Sequence, residues 1–473
     1  MIQKFTISLT LLLISLIWLA QSFISVHAAG KSTPADYEVV LAPPAAALPD
    51  GGDSVTPMLV SQQAVTVTSA SILFLPLVFR KFCTNAFSYN ETLRYNLSKI
   101  NAASAWENCS QGQGIKVAVI DTGVDLDHSD LQANIVSGKS FVSGVSSPDD
   151  DYGHGTHVAG TVAAVNNNGG VIGVAPKASI MPVKVLNSSG SGSTFDVADG
   201  IEWAADNGAK VINLSLASTG NSSTLKAAVD YAYNKGILLV AAGGNCGDSN
   251  YGDTCDYQDQ PVYPGAYSNV IAVASTTSSD GQSSFSNQGS YIDIAAPGSF
   301  IYSTYYLGSY TTMSGTSMAS PHVAGLAALI WSQDTSLTQK QVWAQIKNTA
   351  QDLGTSGWDS QFGYGRINAA AAMGTTQIAA ATTEAESTPA ATATEVPYVP
   401  GEILLKLQTG VSVNRVLDQD HLETAEVKVA DTIDQLDVQK LEVPAGQEQS
   451  VLAQLRSSSG VEYAELNYIV IVQ

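Results

Sequence analysis

Three residues in this chain have the types that acyl transfer requires. Asp121 ends the apolar run of AVIDTG, His154 lies between glycines in DYGHGTHVAGT, and Ser317 sits in GTSMASPHVAG. A hydroxyl is a weak nucleophile at neutral pH. It needs an imidazole to take its proton and a carboxylate to orient that imidazole. Taken singly, each residue has a plainer reading. An Asp after a strand forms turns, a His among glycines packs, and a Ser at a helix start caps it. Asp121 is expected just past a buried strand, where open α/β sheets build their sites. His154 is expected to open an apolar helix. Ser317 should start another that runs to Trp331, with Pro321 in its first turn. A helix N-terminus there would favour developing negative charge, and the Ser317 N–H would point at it.

The elements that must hold these residues are legible in the hydropathy pattern. Residues 115–120, 180–186, 210–216, 236–242 and 269–275 are near-continuous apolar runs, as strands buried on both faces should be. Helical patterns at 194–207 and 223–234 alternate with them, which predicts an α/β fold with a doubly wound, mostly parallel sheet. The chain has 473 residues, too many for one ordinary core. Residues 1–28 read as a secretory signal peptide: Lys4, an apolar run, then small residues at 26–28. Residues 29–82 read as a leader, 83–373 as the catalytic body and 374–396 as an Ala/Thr-rich linker. Residues 397–473 read as a small α+β domain in the order β-α-β-β-α-β, which is ferredoxin-like. The net charge of −21 argues against nucleic acid as a partner. Four cysteines in an exported chain favour two disulfides, Cys246–Cys255 and Cys83–Cys109, among three possible pairings.

The stretches HGTHVAGT and GTSMASPH resemble the subtilisin-like serine proteases, the subtilases. The resemblance spans roughly residues 89–372, with Asp121, His154 and Ser317 in the family's order, 33 and 163 residues apart. It implies that Asn245, closing VAAGGN, is a side-chain donor to the oxyanion. It further implies that Gly190, Ser191 and Gly192, with Ser215, Leu216 and Ala217, clamp an extended peptide by strand addition. Ala217 stands where the family usually has glycine, and Val262 is expected to make the first specificity pocket shallow, so modest-sized residues should precede the scissile bond. A structural Ca²⁺ is implied at Asp130, Val165, Asn167, Gly169 and Val171, all offering oxygen. Asp149, Asp150 and Asp151 are a weaker second candidate. His157 and His322 read as packing residues, not ligands.

The phrases PGEILLKL, KLEVPAG and GVEYAELNYI resemble the subtilase propeptide domain, with Leu466 where proline is more usual. In that family the domain precedes the protease, assists folding and inhibits. Here it follows, and residues 468–473 are expected to dock back into the cleft. The expected function is a secreted, monomeric serine endopeptidase acting on polypeptides, regulated in cis by its C-terminal domain, without a membrane span after signal removal. The rival is a catalytically silent peptide-binding scaffold with an adhesion-type C-terminal module.

Overall fold

The computed structural model describes residues 94–107, 110–167, 169–248, 255, 257–374, 396–419, 422 and 426–473, with three short strands nearer the start. The chain forms two compact units, Met1–Thr84 and Asn85–Gln473. In the first, β1 (Ile24–Ser25), β2 (Tyr37–Val39) and β3 (Phe79–Lys81) pair antiparallel. The signal and leader readings otherwise lie outside the described residues, as do Cys83, Cys109 and 375–395 of the linker.

The second unit opens with α1 (Tyr95–Lys99) and α2 (Ala102–Trp106). There follow β4 (Lys116–Asp121), β5 (Lys139–Ser140), α3 (His154–Ala163), β6 (Ser179–Lys184), β7 (Ser191–Ser193) and α4 (Thr194–Asp206). Next come β8 (Val211–Leu214), β9 (Leu216–Ala217), α5 (Ser223–Asn234), β10 (Leu238–Ala242), β11 (Val270–Thr276) and β12 (Ile294–Pro297). The hairpin β13 (Ile301–Tyr305) and β14 (Ser309–Met313) leads into α6 (Thr316–Gln333), α7 (Gln339–Asn348) and α8 (Ala369–Gly374). The C-terminal part is β15 (Tyr398–Leu407), α9 (Val413–Gln419), β16 (Lys428–Ile433), β17 (Val438–Glu442), α10 (Glu448–Ser457) and β18 (Val461–Val472).

Seven strands form one sheet in the order β12-β11-β10-β8-β4-β6-β5, and every pairing within it is parallel. Alternation along β4 shows why these strands are apolar throughout. Val117 and Val119 face the core built with α3 and α6, while Ala118 and Ile120 face the core built with α4 and α5. Ser193 and Ser222 start α4 and α5 as N-caps, each accepting the backbone N–H three residues on.

Two sequence expectations are corrected. The run 210–216 is not one strand: it breaks at Ser215, and β9 leaves the parallel sheet to pair with β18. Pro321 is not in the first turn of its helix, because α6 begins at Thr316 and the proline lies inside it. A proline there cannot donate to the carbonyl four residues back, that of Ser317. The Ser215 hydroxyl supplies the missing donor, at 2.8 Å from Ser317 O. The two departures answer each other: the strand break presents the group that satisfies the helix.

The C-terminal part has the β-α-β-β-α-β order, with its four strands ordered β16-β17-β15-β18 and antiparallel. Its sheet is apolar on both faces. Ile403, Leu405 and Leu441 pack with Val416, Leu452 and Leu455 of its own helices. Leu404, Ile433, Leu436 and Val438 instead join the core of α4 and α5. At roughly 25 cal/mol per Å² of apolar surface, that second face is what holds this part against the catalytic body.

Candidate active site

Asp121 is the last residue of β4, at the carboxyl end of the sheet, and is fully buried. Its Oδ1 lies 2.7 Å from Nδ1 of His154, the first residue of α3. The start of α3 is tied by Asp150, whose carboxylate accepts the N–H groups of Tyr152, Gly153 and Thr156 and the Thr156 hydroxyl. Gly153 has φ 106°, and a methyl on it would strike the Tyr305 ring at 2.3 Å, so only glycine serves. Burial pulls the His154 imidazole down. The charge and hydrogen bond of Asp121, with Asp150 behind it, outweigh burial and hold the ring above its ordinary value. His157 and His322 lack such a partner, and burial takes them down to about 3 and about 4. Both are fully buried; His157 Nε2 meets Ile301 O, and His322 bonds Met318 O and the Asn96 amide.

Ser317 is the second residue of α6. Its Oγ donates to Ser215 O at 2.8 Å and accepts the Gln473 N–H at 3.1 Å. His154 Nε2 makes no hydrogen bond, although the main chain of Gln473 approaches the ring. The carboxylate and imidazole are thus paired, while the hydroxyl is engaged by the docked strand.

Asn245 follows β10. Its Oδ1 accepts both the N–H and the hydroxyl of Thr316, each at 2.9 Å, and Nδ2 lies beside Gly315. A methyl on Gly315 would lie 3.3 Å from that Nδ2 and 2.9 Å from Gln473 O, so the glycine keeps this small space open. Thr316 was not anticipated from sequence. Nothing in GTSMASPH separates its role from that of an ordinary helix start.

β18 lies in the cleft between the two predicted edges. Ile469, Val470 and Ile471 pair with Ser193, Gly192 and Ser191, and the Val472 N–H donates to Gly190 O at 3.1 Å. On the other side Ile471 and Val472 pair with Ala217 and Leu216, and the Gln473 N–H also approaches Ser215 O at 3.4 Å. Ala217, Val262 and Cys246 pack together beside Asn245, with Cys255 against them. The Cys246–Cys255 disulfide is present, with its α-carbons 5.6 Å apart.

Two polar residues of β18 hold the strand from outside the cleft. The buried Glu465 carboxylate accepts the Ser222 hydroxyl at 2.8 Å and the N–H groups of Ser223 and Thr224 at 2.8 and 2.9 Å, capping α5. Asn467 Oδ1 accepts the Phe195 N–H and the Thr194 hydroxyl, both at 3.0 Å, capping α4. These were missed, yet a signal existed: two polar residues two apart in an apolar strand share one face. Lys184 was also missed, although it interrupts an apolar run. It is fully buried beside Asp121 on the neighbouring strand, and Nζ donates to Thr122 O and Leu186 O and pairs with Asp151 at 2.6 Å.

The buried Asp130 carboxylate accepts the Val171 N–H at 2.9 Å and the Asn167 amide at 3.0 Å, and Asp130 O accepts the Val165 N–H at 2.8 Å. Val165, Asn167 and Val171 are therefore held to Asp130. Among the described residues, no group of three or more His, Cys, Asp or Glu could hold a metal. Asp149, Asp150 and Asp151 are each committed elsewhere: to Leu126 N–H, to the start of α3 and to Lys184.

A model of the subtilase family matches residues 112–365, and a model of the fervidolysin N-terminal prodomain matches residues 384–467. Thermitase of Thermoactinomyces vulgaris is 50% identical over 282 residues, covering 59% of this chain and 96% of that protein. Subtilisin DY of Bacillus licheniformis is 47% identical over 282 residues, covering 60% of this chain and 99% of its own length. Subtilisin Savinase of Lederbergia lenta is 45% identical over 282 residues, with 60% and 99% covered. A family match over more than half the chain, and relatives covered almost end to end, settle what the geometry suggests: the chain belongs to the subtilase family and is a subtilisin-like serine endopeptidase.

Proposed function

We propose that the chain hydrolyses peptide bonds through Asp121, His154 and Ser317, outside the cell, and that its own C-terminal domain holds it latent. The observation that carries this is the course of β18. It fills both edges of the cleft and delivers Gln473 to Ser317, beside a carboxylate–imidazole pair 2.7 Å apart. With the strand withdrawn, the Ser317 Oγ–H turns from Ser215 O to the free His154 Nε2. Oγ attacks the carbonyl carbon of a peptide lying where β18 lay, and its proton passes to Nε2. Asp121 stabilises the resulting imidazolium. Asn245 Nδ2 and the Ser317 N–H hold the oxyanion. His154 then gives the proton to the leaving amine, and water, deprotonated by the same Nε2, releases the acyl group. Labelling Ser317 with an organophosphonate before and after limited proteolysis tests the proposal. Slow labelling that accelerates on cleavage of the C-terminal domain is expected. No labelling under either condition would leave the scaffold reading in its place. On the secretion side, no helix among the described residues is long and apolar enough to cross a membrane. N-terminal sequencing of the exported protein tests removal of residues 1–28.

Latency is expected to depend on pH. Three carboxylates on α4 meet the docked domain. Burial pushes Asp196 and Asp199 up to about 6 and Glu202 up to about 7. The charges facing them are mixed. Lys440 and Lys139 pull the aspartates down, while Glu402, Asp431, Asp434 and the neighbouring Asp199 and Asp206 push the group up. Because Glu402, Asp431 and Asp434 of the docked domain add to the upward push, the docked state is expected to hold protons that the free state releases. Their contribution to docking is therefore full near pH 4 and is lost as pH rises through 6 to 7. Hydrogen exchange of residues 468–473 in the Ser317→Ala protein isolates this from the titration of His154 in catalysis. Faster exchange at pH 8 than at pH 5, beyond the intrinsic rate, is expected; equal protection would refute it.

The residues at Asp130 fit a structural Ca²⁺ by donor type: one buried carboxylate, loop carbonyls, and an Asn167 amide that turns its oxygen inward on a flip. Such an ion would pin the loop 165–171. At about a hundredfold excess over its Kd, Ca²⁺ adds about 2.7 kcal/mol, or ~3–5 °C in Tm for a unit of this size. A chelator should remove that increment in a thermal scan. An unchanged Tm counts against the site.

A further inference from the structure

The Gln473 side chain occupies a definite place. Its Oε1 accepts the backbone N–H of Asn245 at 3.1 Å, while its main chain meets Ser317. The side chain of the residue that reaches the nucleophile is therefore read by a fixed amide donor. The residues next to that donor are packed together. Ala217 and Val262 are each 1% exposed and Cys246 is 2% exposed, and all three touch. A methyl on Gly244 would meet Asn287 Nδ2 at 2.6 Å and Val262 Cγ2 at 2.9 Å, so the amide and the valine both crowd the backbone immediately before that donor. The Cys246–Cys255 disulfide packs against the same two side chains, so the wall cannot swing away to deepen the space.

We infer that the first specificity subsite of this protease selects glutamine before the scissile bond. The inference deepens the proposed function and rests on it. A Gln side chain places a carbonyl oxygen on the Asn245 N–H. Methionine has nearly the same length and shape but no strong acceptor, so it strips water from that N–H without replacing the bond. Glutamate could accept the bond, but it would bring a full charge against uncharged wall residues with a single donor, which is costly. Phenylalanine and tyrosine need the depth that Val262 and Ala217 take up. A site built around a polar group discriminates against analogues lacking it more sharply than an apolar pocket ranks sizes. Asn245 would thus contribute twice, with Nδ2 toward the oxyanion and its backbone N–H toward the substrate side chain. Val262 would be the residue that sets depth.

The test is a panel of Val-Ile-Val-Xaa anilides, copying residues 470–472, with Xaa as Gln, Met, Glu, Ala or Phe. It is run on the full-length protein and again after limited proteolysis. The docked tail competes equally with every member of the panel, so ratios of kcat/KM do not depend on how much enzyme is open. One net hydrogen bond predicts Gln over Met by about 3- to 10-fold. Gln should exceed Glu and Phe by at least about 10-fold. Val262→Gly should raise Phe relative to Gln by about 10-fold, because it reopens the floor without touching the donor. Met equal to or above Gln, or Phe above Gln in the unaltered protein, overturns the inference while hydrolysis itself upholds the proposed function. No hydrolysis of any member, together with no phosphonate label on Ser317, overturns both.

Discussion

Ser317→Ala is expected to lower kcat on a cleavable peptide by about a millionfold, the size found on removing the nucleophile of a subtilisin and carried over here. The physical basis is that the hydroxyl, the imidazole and the carboxylate act as one unit. Without Oγ there is no covalent step for His154 and Asp121 to assist, and only the oxyanion donors and binding remain. The substitution should leave the fold unchanged. Ser317 Oγ gives up one bond to Ser215 O and one from Gln473 N–H, while the helix-satisfying bond from the Ser215 hydroxyl runs to the Ser317 backbone. The measurement is turnover of a fluorogenic peptide at matched concentration, with circular dichroism to verify folding. Activity within tenfold of the unaltered protein, in a folded sample, would remove Ser317 from the reaction.

Glu465→Ala is expected to raise the basal activity of the full-length chain by about 30- to 5,000-fold, up to the ceiling set by fully open enzyme. Glu465 sits 5% exposed and takes three hydrogen bonds at the start of α5. Truncating one partner of a buried, hydrogen-bonded charge typically costs about 2–5 kcal/mol. Here much of that cost is the Ser223 and Thr224 N–H groups left facing a void. The α5 cap from Ser222 to Leu225 remains, so the helix itself should persist. Asn467→Ala is the companion. It removes the bonds to Phe195 and Thr194 and frees Glu402, which the Asn467 amide reaches at 2.6 Å. Its effect should be smaller, since a neutral amide is lost instead of a charge. The rate of phosphonate labelling reads both variants without regard to substrate choice. If folded Glu465→Ala and Asn467→Ala proteins label no faster than the parent, the docked domain does not limit access, and latency in cis is wrong.

Much of this was legible before any coordinates. Strands buried on both faces must be apolar at every position, so β4, β6, β8, β10 and β11 stood out as continuous runs. The helical patterns at 194–207 and 223–234 matched α4 and α5 to within a residue. The chemistry of the Asp121, His154 and Ser317 neighbourhoods is local: a strand end, a glycine-flanked helix start, a helix opening after Gly315. Local patterns survive in a linear reading. The errors came where a distant partner overrode a local rule. Pro321 read as a first-turn proline because an interior proline leaves a carbonyl unsatisfied. Nothing in the helix says that Ser215, 102 residues away, will satisfy it. The run 210–216 read as one strand because its hydropathy does not reveal that Ser215 must turn out of the sheet.

The sequence by itself determined the class of the protein and the identity of its reacting groups, because hydrophobic periodicity and residue type are properties of short stretches. It also determined that the final segment would be a strand in need of a cover. That it would dock into the cleft followed from the resemblance to the propeptide domain, and the tertiary structure alone decided its register there. Two edges, 190–193 and 215–217, converge on either side of Ile471, and two helix starts face Glu465 and Asn467. It alone decided that Asn245 turns a backbone N–H onto Gln473. Those arrangements depend on the relative placement of groups hundreds of residues apart. Only the packing of the sheet's α4 and α5 face against a second sheet fixes that placement.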